Sequence, residues 1–540
     1  MKLVIGLAAA LVVAASATAF AQNDHDHSAN GGNVGSDSVS FVTSCAPALR
    51  QDFNHAVALL HSFWFAQAIA EFEGVAAKDP SCAMAHWGVA LSRWGNPFAG
   101  LRSPQQIELG RAAVQKAQAT GSPTPRERAL IGAAAELYSS ADPSTQRART
   151  IAYEQAMERV VRANPGDMEA RIFYALAVDQ TALATDKQYS QQLKAAAILE
   201  PLFKEHPKHP GLAHYIIHAY DHPPLADKAL AAARSYASLA PAVPHALHMP
   251  SHTFTRVGLW NESIETNRRS AEAALKENAT AEALHAMDYQ TYAYLQIAKD
   301  AEALRVTGEA RAAAQRLDPN GTGGAAPGVA GVFATAAIPA RYALERGAWA
   351  EAAALTVQKT TFPHTDAITH FARALGAARS GNPKAAAADI DRLAALRDAL
   401  KAMSDAYWAE QVDIQRQIAI AWVAFAEGDK SRGIELLRAA AAAEDATDKS
   451  AVSPGPLAPA RELLGYMLLD ADRPADALVE FEATMKKEPN RFRGLYGGAR
   501  AAEAAGQRAR AITLYKQLLQ VASEPDTNRP ELEHARALVQ

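Results

Sequence analysis

From about Phe41 to Val521, apolar and alanine positions recur at three- and four-residue spacing, broken by short turns containing Gly, Pro or Asp. That period predicts amphipathic α-helices joined by tight connections, with no segment reading as a strand. Three stretches end alike: "AIAEFEGVAAKDP" after Gln67, "ALAAARSYASLAP" from Ala229 and "ALVEFEATMKKEP" from Ala477. Each puts small residues where two helices cross and then runs into a proline that stops the helix. Turns built on Gly258 ("GLWNESI"), Gly347 ("GAWAEAA") and Gly381 ("GNPKAAA") recur with them, at a period near 34 residues.

Two stretches interrupt this rhythm: "DPNGTGGAAPGVAG" from Asp318 and "DATDKSAVSPGPLAP" from Asp445. Both are too rich in Gly and Pro to be helical. They divide the chain into a repeat block at 41–318, a break at 319–331, a middle block at 332–444, a loop at 445–459, a C-terminal pair at 460–522 and a tail at 523–540. A helix–turn–helix period of about 34 residues resembles the tetratricopeptide repeat. The resemblance implies an all-α fold, an α-solenoid of helix pairs wound as a right-handed superhelix. The stretches "LLHSFWFAQAIAEF", "DPSCAMAHWGVALS", "HAYDHPPLA", "PHALHMPSHTFTRVGLW" and "YWAEQVDIQRQIAIAWVAFAEG" look like a group of large exported bacterial tetratricopeptide proteins with no settled activity. That likeness implies fold and compartment, not chemistry.

Composition narrows the partners. A formal charge of -4 over 540 residues leaves no basic footprint for nucleic acid or anionic lipid, so neither is expected. The start, "MKLVIGLAAALVVAASATAFAQ", has a basic residue, an apolar run and an Ala19-Phe20-Ala21 cleavage pattern, so 1–21 reads as an export signal and the mature protein as periplasmic or secreted. An uncleaved anchor is the alternative; beyond this segment no stretch is apolar for long enough to span a bilayer. Residues 22–40, with Asp24-His25-Asp26-His27, have the polar Gly/Ser/Asn composition of a disordered tether. The two cysteines, Cys45 and Cys82, are expected to pair in an oxidising compartment, a lone catalytic thiol being the weaker reading.

The chemistry is concentrated in one place. Nine of the 17 histidines lie from His206 to His285, where an even spread would put two or three. His214, His218 and His222 are four apart and share a helix face, and His214 to His248 and His218 to His252 are each one repeat apart. By the repeat geometry that the resemblance implies, the first helix of each unit lines the concave groove. This places His214 and His218, then His245, His248 and His252, then His285, Asp288 and Tyr292 on that surface, with Asp221 and His222 nearer a turn. Neighbouring first helices pack 8–10 Å apart, close enough for imidazoles to share an ion. Pro244 and Pro250 disturb the register: if Pro250 starts the helix, "HALHM" is an irregular approach and His245 and His248 are not fixed by the repeat.

A metal set of His214, His218, Asp221, His222, His245, His248, His252 and His285 suits Zn, Fe, Ni or Cu rather than Ca or Mg. Tyr220, Arg256, Asp288 and Tyr292 are candidates for the surroundings or for substrate contact, and His61 and Trp87 for an extension of the groove. His206 and His209, in "KEHPKHP", read as a solvated loop. Three functions stay open: a binding or scaffold protein with a metal site in the groove, a metal-dependent hydrolase or oxidase acting on a small molecule, and a metal-free adaptor for a peptide or protein, or one whose crowded imidazoles act as a pH switch. No phosphate loop, GxSxG elbow, HExxH or CxxC is present.

Overall fold

The three proline-stopped segments form the second helices of their pairs, Phe65–Lys78, Leu230–Leu239 and Pro474–Lys487. Each ends the same way, with Asp79, Ala240 or Glu488 at φ near -130° and ψ between 61° and 89°. A residue preceding proline is driven out of the helical region, so the sequence signal and the termination have one cause. The recurrent turn glycines Gly258, Gly347 and Gly381 have φ of 70°, 65° and 87°, a conformation that side chains with a Cβ seldom adopt. Gly258 carries a second constraint: a Cβ there would fall 2.5 Å from the Pro489 carbonyl oxygen.

A computed structural model describes residues 32–321 and 324–539. The expected signal at 1–21 and the Asp24–His27 run lie outside them. Among the described residues there are twenty-six α-helices and no strand. Each helix packs on its successor, and an inner row packs side by side: Pro210–Ala219, Pro250–Arg256, Thr280–Gln296, Gly328–Glu345, Pro363–Arg379 and Ala406–Ala426. This is an α-solenoid. No helix among the described residues is long and apolar enough to cross a membrane.

The solenoid folds back on itself, which a plain repeat array does not do. The first helix, Arg50–His61, lies against Pro210–Ala219, and Phe492–Ala504 lies against Thr280–Gln296. Arg491, fully buried, bridges Glu345 (2.7 Å) and Glu462 (2.8 Å) and donates to the Tyr292 hydroxyl at 3.0 Å. Thr280–Gln296 is therefore buried on nearly every side.

Three boundaries differ from the sequence expectation. The tether does not extend to residue 40, because Val34 and Val39 are buried in the N-terminal core. The Gly/Pro break ends earlier than 331, with the Gly328–Glu345 helix starting inside it. The 523–540 tail is tied down: Pro530–Val539 buries Leu532 and Ala535, and the Asp526 carboxylate accepts from the Ala301 and Glu302 amides, both at 3.0 Å, at the start of the Asp300–Ala314 helix. Cys45 and Cys82 are joined in a disulfide, anchoring the approach to the first helix on the third, Ala83–Trp94.

Candidate metal centre

His214 and His218 stand one turn apart on Pro210–Ala219. The next three come from a broken helix: Pro244–His248 and Pro250–Arg256 abut at Met249, whose φ of -52° and ψ of -37° keep the chain helical across the break. Pro250 removes one backbone donor there, yet the helical sense survives, so His245 and His248 are ordered by Pro244–His248 rather than lying in an irregular approach. His285 projects from Thr280–Gln296.

The six rings meet in two triads. His214, His218 and His245 bring one nitrogen each to within 4.8 Å of one another, and His248, His252 and His285 do the same. Within the first, His214 Nε2 lies 3.1 Å from His218 Nε2 and 3.2 Å from His245 Nε2. Within the second, His248 Nε2 and His252 Nε2 are 3.0 Å apart. The triads adjoin, with ring centroids of His245 and His248 at 6.2 Å and of His218 and His252 at 6.3 Å.

The outer nitrogens fix the tautomers. His214 Nδ1–H donates to the His61 carbonyl at 2.6 Å. His248 Nδ1–H donates to Asn267 Oδ1 at 2.6 Å, and Asn267 is held that way round because its amide nitrogen donates to the Ser263 carbonyl at 2.7 Å. His252 Nδ1–H donates to Asp221 Oδ2 at 2.8 Å. In a neutral imidazole the other nitrogen is then a bare acceptor. His248 and His252 consequently aim two lone pairs at each other with no proton to share. Two nitrogens bound to one tetrahedral ion at 2.0–2.1 Å stand about 3.3 Å apart, close to the spacings here.

Burial holds the six rings below their ordinary value, with their like-charged neighbours pushing the same way: His214 and His285 fall to about 3, and His218, His245, His248 and His252 are also lowered. Burial alone would raise the Asp221 carboxyl, but Lys449, Arg256 and His252 outweigh it and hold it well below the carboxylate range. Arg256 Nε donates to Asp221 Oδ1 at 2.9 Å, and the Lys449 ammonium lies 3.5 Å from Oδ2. Burial brings Lys449 itself down to about 8. A carboxylate clamped by two cations and bonded to the far side of a histidine orients that ring and raises its basicity.

No family model and no curated protein matches the chain. Among solved structures the chain is similar to one described as "Crystal structure of APC/C hetero-tetramer Cut9-Hcn1", at 13% identity over 91% of this chain and 89% of that one, with a TM-score of 0.30. The helix-pair architecture accordingly rests on the packing within this chain.

Several expected site residues are elsewhere. The helix carrying His214 and His218 ends at Ala219, so the four-residue spacing does not bring His222 to the cluster; its ring packs, tilted, against Tyr189 at 4.7 Å and its Nδ1 lies 3.5 Å from Asp448. Asp221 bonds to His252 from outside the triads and is not itself grouped with the inner nitrogens. Tyr220 donates to Glu200 at 2.8 Å. Asp288 is spent on Arg341, whose Nε donates to it at 2.8 Å, and Tyr292 belongs to the Arg491 bridge. Arg256 grips Asp221 instead of facing a groove. Trp87 is core, 5.0 Å from Phe41 and 5.5 Å from Phe173.

His209 is fully buried, not in a solvated loop, while its neighbour His206 is exposed. His209 and His61 sit either side of Glu169, at 3.1 Å and 2.9 Å, and His61 also meets the Tyr215 hydroxyl at 3.0 Å. Burial would raise Glu169, but the bonds to His209 and His61 outweigh it and keep it ionised. This second layer holds the His61 carbonyl that orients His214. Gly211 makes room for it: a Cβ there would lie 2.6 Å from His61 Nδ1. Sequence reasoning missed Tyr289, Asn267, Lys449, Phe63 and Phe98. Tyr289 is legible in retrospect, four residues after His285 on the same helix face, with its ring 4.8 Å from His248.

Proposed function

We propose that this chain is a metal-holding protein in which two adjoining tri-histidine sites lie inside an α-solenoid. The observation that carries the reading is the pair of unprotonated nitrogens of His248 and His252 facing each other at 3.0 Å, an arrangement that a shared cation makes favourable and that its absence leaves repulsive. Buried imidazoles kept neutral and oriented from behind by a carbonyl, an amide oxygen and a carboxylate are the preparation a transition metal requires.

All six inner ligands are neutral, and Asp221, the carboxylate bonded to one of them, is already matched by Arg256 and Lys449. Three neutral imidazoles are the ligand set of tri-histidine zinc sites, and imidazole suits copper, iron and nickel as well. The α-solenoid supports, at a coarser level, a role in protein interaction as well.

The test is metal analysis of untagged protein expressed with copper or zinc supplementation. Near-stoichiometric loading with copper or zinc, up to about two ions per chain, is expected. Loading should be lost in a His218→Ala, His252→Ala double variant. Less than about a tenth of an ion per chain after supplementation would overturn the reading.

A further inference from the structure

Four of the cluster's histidines, His218, His245, His252 and His285, form part of the wall of a cavity of about 520 Å³. Its other walls come from segments far apart in sequence: the Trp94–Gln106 connection, the Phe362–His364 turn, Trp408 and the Ser450–Val452 loop. The volume lies within the range of small-molecule sites and is large enough for one or two rings.

The walls are apolar and flat. Phe98 lies 4.2 Å from the His218 ring, nearly parallel to it, and Trp408 stacks at 4.5 Å on His364. Phe98 and Trp408 are each only half-buried, their remaining surface facing this space. Two formally charged side chains lie in the lining: Arg102 donates through Nη1 to the Ala99 and Gly100 carbonyls at 2.7 Å each, and Asp405 accepts from the Trp408 amide at 3.2 Å. His364 is held neutral by burial, at about 4. The lining is mainly apolar, which favours a ligand with little polar surface of its own. On the imidazole side, the Nδ1 atoms of His245 and His285 are buried without a hydrogen-bond partner.

We propose that this cavity takes an uncharged aromatic molecule of one or two rings, stacked between Phe98 and Trp408 with a single hydroxyl or nitrogen donor turned to the imidazole wall. The site rests on the metal reading in one respect: an ion held by three histidines keeps an open position, and a ligand donor can complete it. The aromatic preference comes from the walls alone and stands without the ion.

The experiment uses the full chain, metal-loaded and metal-free, titrated calorimetrically with 2-naphthol and with its saturated counterpart decahydro-2-naphthol. The expected result is saturable 1:1 binding of 2-naphthol at least about tenfold tighter than the saturated alcohol, weakened about tenfold by Phe98→Ala and by Trp408→Ala, the latter with metal content unchanged. Met403→Trp, at a cavity-lining position that is 57% exposed and outside the core, should slow entry while leaving the fold intact. Equal affinity for the two alcohols, or binding indifferent to all three substitutions, would overturn the proposal. Aromatic-selective binding by a chain that takes up no ion would uphold the cavity and refute the metal reading, so the two fail separately.

Discussion

Two acceptor nitrogens at 3.0 Å, His248 Nε2 and His252 Nε2, are the residue-scale feature from which the site's chemistry follows. Asn267 sets half of that arrangement. Replacing it with Leu removes the acceptor for His248 Nδ1–H, lets the ring change tautomer, and should weaken metal binding 10- to 100-fold with helicity retained, as a chelator competition would measure. Gly211→Ala acts one layer further out, forcing a Cβ against His61. It should cost about 1–3 kcal/mol in urea unfolding and disturb His214 through the His61 carbonyl. The metal-free protein should also be acid-sensitive. Unfolded histidines take up protons near 6.5, whereas folded His214 and His285 refuse them down to about 3 and the other four rings are also lowered. Between those limits the unfolded state binds more protons, so stability is complete above pH 6.5 and falls as pH drops, by up to about 1.4 kcal/mol per unit per ring. The urea midpoint should accordingly fall between pH 7.5 and 5.5. Helix spacing and the repeat period foretold that histidines would gather here, because both are written into the positions of His214, His218, His248 and His252. The spacing misplaced His222 because nothing in a four-residue period announces that Pro223 and Pro224 will end the helix first.

At the scale of the element, helix ends were the most legible part of the chain. Proline after a small-residue run, and glycine at φ near +70°, are local signals with local causes, and the structure places both where the pattern does. What the pattern omits is what a turn touches. Gly258 faces the Pro489 carbonyl from the C-terminal block, 231 residues away in sequence, so Gly258→Ala adds a steric clash to an unfavourable φ. It should cost at least about 2 kcal/mol in denaturant unfolding, while Gly381→Ala, at a positive φ but with nothing within 4 Å of the added carbon, should cost about 1 kcal/mol. The broken Pro244–Arg256 helix was harder to read: two prolines suggested irregularity, but each begins a helix, and the break spares the face that carries the histidines.

Across the whole molecule, the departure from a linear array is made by long-range ion pairs that no period encodes. Arg491, which meets Glu462 on the adjacent unit, also reaches Glu345 on Gly328–Glu345, a helix that a linear solenoid would keep apart from it. Arg491→Met would leave two buried carboxylates facing each other and should destabilise the chain by about 3–5 kcal/mol, whereas the triple replacement of Arg491, Glu345 and Glu462 by apolar residues should recover much of that loss. The same closure gives the histidine chamber walls from as early as Trp94 and as late as Val452. A growing polypeptide therefore owns the six clustered histidines long before it owns the room that surrounds them. Its enclosure would come late in biogenesis, after the stretch from Phe362 to Val452 has been made.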